Sequence, residues 1–106
     1  MGDEFVKVAT VAEIPPETVK VVEVAGQRVV VCNEEGKFYA VADLCTHDNG
    51  PLGEGELYEG EIQCPRHGAT FDIKTGQATR LPAILPISTY PVEVRGEEVW
   101  VGAKPR

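Results

Sequence analysis

The chain has 106 residues, 42% hydrophobic and 25% charged, which suits one soluble domain with an ordinary core and excludes a disordered chain. A formal net charge of -7 argues against nucleic acid or an anionic membrane as partner, and no apolar run approaches the roughly 18 residues needed to span a bilayer. The first ten residues, MGDEFVKVAT, lack the apolar stretch of a secretory signal, so the expected compartment is the cytoplasm, where cysteines stay reduced or bind metal.

Along the chain, Thr10-Val11-Ala12-Glu13 fits a helical capping box, but Pro15 and Pro16 limit that helix to about one turn. Val19–Val24 and Arg28–Cys32 are apolar runs on either side of Ala25-Gly26-Gln27, which predicts a hairpin. Asn33-Glu34-Glu35-Gly36 then turns the chain into a strand over Lys37–Val41. Residues 43–63 contain five glycines or prolines and show little periodicity until Gly60. After it, Glu61–Cys64 and Ala69–Ile73 read as short strands, with Lys74-Thr75-Gly76 as the next turn. Val92–Arg95 and Glu98–Val101 flank Gly96-Glu97 as a last tight hairpin. The expected fold class is therefore antiparallel all-β.

The charge is uneven. Residues 43–79 hold seven acids (Asp43, Asp48, Glu54, Glu56, Glu59, Glu61, Asp72) against Arg66 and Lys74. Such a segment is either a solvated surface or a docking face.

Both histidines of the chain fall beside cysteines, in Cys45-Thr46-His47 and Cys64-Pro65-Arg66-His67. The constellation is C-x-H, sixteen residues, then C-x-x-H. Gly50 and Pro51 follow the first pair and Pro65 interrupts the second, so each pair lies in a loop at a strand end, where a β scaffold presents binding groups. Two thiolates and two imidazoles form a closed four-ligand set. Structural zinc is one occupant, although zinc sites usually pair like ligands on each arm. Unliganded core cysteines and surface histidines are the bland alternative. A two-iron, two-sulfide cluster explains the mixed arms: if each loop gives one ligand to each iron, cysteines pair on one metal and histidines on the other.

These boxes, together with Gly68-Ala69-Thr70-Phe71-Asp72-Ile73-Lys74-Thr75-Gly76, Leu81-Pro82-Ala83 and Tyr90–Val94, resemble the Rieske-type ferredoxins over roughly residues 5–102. The resemblance implies a single domain over 1–106: a Rieske-type β-sandwich carrying an inserted cluster-binding subdomain, about residues 43–80, built from two loops. It implies one [2Fe-2S] cluster held by Cys45, His47, Cys64 and His67, with the imidazole edges exposed as the electron exit. Cys32, in an apolar strand run, is expected to be a core thiol.

Two ferric ions, two sulfides and two thiolates sum to zero charge, so taking up an electron makes only a monoanion. The potential is then expected within about -150 to +300 mV. Quinol-oxidising relatives place serine and tyrosine where Ala69 and Phe71 stand, and brace their loops with a disulfide at the positions of Gly50 and Arg66. Those hydroxyls and cysteines are missing here, and acids surround the boxes; all three point to the low end of the range.

No histidine remains for a mononuclear iron site, so oxygenase chemistry within this chain is excluded. The leading expectation is a soluble one-electron carrier between a flavin-dependent reductase and a terminal ring-hydroxylating oxygenase, docking on both near His47 and His67. The alternative is the small Rieske-type subunit of a reductase such as nitrite reductase.

Overall fold

The structure, a computed structural model, describes residues 4–44, 52–53, 55–65, 68–81 and 83–105. In chain order its strands are β1 (Phe5–Thr10), β2 (Thr18–Val24), β3 (Gln27–Glu34), β4 (Lys37–Ala42), β5 (Leu57–Tyr58), β6 (Glu61–Gln63), β7 (Thr70–Asp72), β8 (Ala78–Arg80), β9 (Thr89–Tyr90), β10 (Val92–Arg95) and β11 (Glu98–Gly102). They form three antiparallel sheets, ordered β1-β11-β10, β2-β3-β4-β9 and β5-β6-β7-β8. The all-β antiparallel expectation holds.

The hairpins follow from turn chemistry. Ala25-Gly26, Glu35-Gly36 and Glu59-Gly60 have positive φ at both central residues, as in type I′ turns whose twist matches that of the flanking strands. Only a two-residue turn separates β2 from β3, because Gln27 pairs with Val24 instead of joining the turn expected at 25–27. The 3-10 helix Val11–Glu13 is the short helix expected before the two prolines, and the Glu13 carboxylate accepts the Thr10 N–H at 2.8 Å. Strand β1 has no counterpart in the sequence reading. It pairs with β11 from Phe5↔Gly102 to Thr10↔Glu98, with an irregularity between Lys7 and Ala9.

The central sheet is covered on both faces, and β3 shows it. Its side chains alternate between two cores. Val29 and Val31 pack with Ala9, Ile14, Val99 and Val101 beneath the first sheet. Val30 and Cys32 pack with Ile62, Cys64, Phe71 and Ile73 beneath the third. Residues Val29–Asn33 are therefore buried without a break, which hides the period-two alternation of a one-sided strand. Asn33 is the polar member of this run. Its amide donates to the Ile14 carbonyl at 2.7 Å and accepts from the Gly36 N–H at 2.8 Å, so its burial leaves no group unpaired.

Candidate metal centre

The second Cys-His segment grows out of the hairpin β6–β7. Gln63 pairs with Thr70 at the end of the ladder, and Thr70 pairs onward with Arg80. Cys64, Ala69 and Leu81 thus leave the third sheet at one rim. Beyond the ladder the Cys64 N–H donates to the Ala69 carbonyl at 2.6 Å, and the Gly68 N–H returns to the Cys64 carbonyl at 3.1 Å. Gly68 has φ +79, the left-handed region that a side chain strains, so glycine is what lets the loop close here. Cys64 is 1% exposed and sits against Leu52, Ile62, Ala69, Phe71 and Ile73. Apolar side chains around the Cys64 sulfur would shield a bound metal–sulfur core from solvent. The surroundings of Cys64 fit a cluster ligand.

The first Cys-His segment is anchored by Asp43. Its N–H bonds the Arg28 carbonyl at 3.1 Å, extending the pairing of β4 with β3. Its side chain is fully buried. One carboxylate oxygen, Oδ1, accepts the N–H groups of Leu52 at 2.8 Å and Gly53 at 2.7 Å. The other, Oδ2, accepts Arg28 Nε at 3.0 Å from the solvent side. The chain therefore leaves Asp43, runs through 44–51 and returns to the same carboxylate. Gly53 must be glycine for close approach: a Cβ there would overlap a methyl of Val21 on β2. Leu52, fully buried, then packs in the same core as Cys64. The two Cys-His segments are thus rooted side by side. Cys45, His47 and His67 themselves lie outside the described residues.

Cys32 is a core thiol, as expected: fully buried, with burial pushing its pKa up to about 12. The acids of 43–79 divide by role. Asp43 closes a loop, and Asp72 caps a turn, its Oδ1 accepting the Lys74 N–H at 2.7 Å. Glu56, Glu59 and Glu61 reach solvent at the outer side of the third sheet, where Glu56 and Glu61 line a shallow groove of about 190 Å³ with Tyr58, Gln63, Thr70 and Arg80. The docking reading therefore rests, among the described residues, on those three glutamates and not on the whole count. Nothing in the sequence reading marks Asp43 as the acid that closes this loop. The only signal for it was a charge at the end of the apolar run Ala40–Ala42, two residues before Cys45.

The sequence matches the Rieske [2Fe-2S] domain over residues 4–91. It is 36% identical over 101 residues to the ferredoxin component of the naphthalene 1,2-dioxygenase system of Pseudomonas aeruginosa, covering 95% of this chain and 97% of that protein. The fold superposes on the ferredoxin of carbazole 1,9a-dioxygenase from Nocardioides aromaticivorans IC177 with a TM-score of 0.91 and 37% identity, covering 94% of this chain and 98% of that one. It also superposes, with a TM-score of 0.91 and 33% identity over 96% of this chain and 95% of the other, on a chain in the complex of reduced oxygenase and oxidised ferredoxin of carbazole 1,9a-dioxygenase.

Proposed function

The chain belongs to the Rieske [2Fe-2S] domain family, and from that membership we propose that it is a one-electron carrier taking electrons from a flavin-dependent reductase and delivering them to a terminal ring-hydroxylating oxygenase. Its cofactor is a Rieske-type [2Fe-2S] cluster. We assign Cys45 and Cys64 to one iron and His47 and His67 to the other. When bound, the cluster stores a single electron at a potential above that of four-cysteine clusters.

The observation that carries the ligand assignment is the common rooting of the two segments. The hairpin at Cys64 and the loop returned by Asp43 enter one core, so four donors from distant parts of the sequence can serve a single centre. The chain's part is to hold these donors and to keep one side of the centre dry with Leu52, Ala69 and Phe71, all fully buried. Near the Cys64 end of the third sheet, Leu81 and Ile84 are 72% and 78% exposed, which suits brief docking of a partner. The whole chain is read as one domain, with residues 43–80 as its cluster-binding part. No helix among the described residues is long and apolar enough to cross a membrane, and the cytoplasm is the compartment we propose.

Anaerobically purified protein should be red-brown, contain acid-labile sulfide and give a paramagnetic signal after dithionite reduction. Replacing His47 or His67 with alanine should abolish all three. A colourless protein without sulfide would overturn the assignment. Stopped-flow mixing of the reduced protein with an oxidised terminal oxygenase should show electron transfer within a turnover, and a carrier should elute alone on gel filtration.

A further inference from the structure

We infer that Asp43 is the positioning residue of the first ligand segment: its N–H holds the start of residues 44–51 and its buried carboxylate holds their return, so that the segment carrying Cys45 and His47 begins and ends at one fixed point of the core. The inference rests on the ligand assignment above.

Three features separate Asp43 from an ordinary surface acid. Its side chain has no exposure, while its ion-pair partner Arg28 is 66% exposed. One of its oxygens takes two successive N–H groups, from Leu52 and Gly53, charge-assisted bonds of the kind a carboxylate makes to backbone at a helix N-cap. Both of these donors lie across the segment from Asp43, so the bonds close a loop of eight intervening residues. Arg28, donating to the second oxygen, balances the charge without entering the core. Without the carboxylate, two N–H groups at a buried junction lose their acceptor, and the return point of the loop is free to drift. Its start, held by the Asp43 N–H to the Arg28 carbonyl, stays in place. The effect of losing Asp43 should therefore fall on cluster retention before it falls on the β scaffold.

Asn33 supplies a matched comparison. It too is buried and makes two bonds to backbone, with Ile14 and Gly36, but it joins elements away from the ligand segments.

The test is the rate at which iron passes from the purified holoprotein to a ferrous chelator under reducing conditions, at a temperature where far-ultraviolet circular dichroism stays native. Asp43→Ala should release iron at least tenfold faster than the unaltered protein, and Asn33→Ala should release it within about twofold of that protein. Asp43→Asn keeps an oxygen for both N–H groups but sets an amide N–H against Arg28 Nε. It should be intermediate, and adding Arg28→Gln should bring the rate back towards the original. If Asp43→Ala does not fold, the Asp43→Asn pair with and without Arg28→Gln decides. The inference is overturned if the folded Asp43 variants keep iron as long as the unaltered protein, or if Asn33→Ala sheds it equally fast, because loss would then track global stability. Unaltered protein that holds no iron would instead sink the ligand assignment.

Discussion

Gly55 lies flush against Gln63: a Cβ on Gly55 would overlap the Gln63 carbonyl oxygen. The Gly55 N–H meanwhile bonds the Leu52 carbonyl at 2.9 Å, and the Gln63 N–H bonds the Glu56 carbonyl at 2.9 Å. The contact is backbone on backbone, next to Cys64, so no side chain can swing aside to relieve it. Gly55→Ala should destabilise the protein by about 1–3 kcal/mol, the usual cost of overpacking. It should also lower the iron bound per chain, because the two ligand segments are forced apart. Thermal unfolding followed by circular dichroism, with iron analysis of the same sample, checks both.

Cys32 predicts an alkaline weakness. Its thiol is held protonated in the fold up to about 12, against an ordinary value of 9.0, because burial penalises the thiolate. Above pH 9 the unfolded chain releases this proton while the folded one keeps it. Stability is therefore fully present below pH 9 and falls between 9 and 12, by up to about 1.4 kcal/mol per pH unit. Tyr90, also shifted upward by burial, adds in the same direction. Cys32→Ala should flatten this slope in denaturant titrations run from pH 8 to 11. It should leave the visible spectrum of the cluster unchanged, since Cys32 lies outside the proposed ligand set. An unaltered slope would remove the thiol as its source.

Ala69 and Phe71 set the expected potential. Both are fully buried in the wall that holds Cys64, and neither offers a hydroxyl to sulfur. Ala69→Ser with Phe71→Tyr adds two donors that favour the reduced, more negative state. A one-electron couple rises by about 59 mV for each 1.4 kcal/mol of such preference, so the double variant should titrate higher by tens of millivolts or more. Redox titration followed by paramagnetic resonance measures it. No rise would mean that hydroxyls at these positions do not reach the cluster sulfurs.

Glu56, whose carbonyl accepts the Gln63 N–H, stands at the Cys64 end of the third sheet, and Glu59 and Glu61 reach solvent towards its far end. If they steer a basic partner, reduction by the flavin-dependent reductase should slow about tenfold from low salt to about 0.5 M, as the screening length shrinks. Glu56→Gln with Glu61→Gln should flatten that dependence and leave the potential almost unmoved. Stopped-flow rates against ionic strength decide between steering and mere solvation.

The hairpins and the ligand spacing were legible because they depend on local rules. Glu35-Gly36 and Gly96-Glu97 announce turns wherever they occur, and C-x-H with C-x-x-H needs only counting. Strands β5 and β9 were not legible: two residues each, Leu57–Tyr58 and Thr89–Tyr90, are too few to show a period. Strand β3 read as a run instead of an alternation because the sheets on either side bury both its faces. Asp43 was counted among surface acids because nothing local reveals that Leu52 and Gly53 come back to it. That information is tertiary, created when the loop closes.

The central position of β3 has a consequence for how the molecule breathes. An opening of the first sheet uncovers Val29 and Val31 but leaves Val30 and Cys32 beneath the third, and the reverse opening does the opposite. Neither fluctuation alone admits solvent to the whole strand, so the amide protons of Val29–Cys32 should be the last to exchange with deuterium, surviving until the entire molecule comes apart.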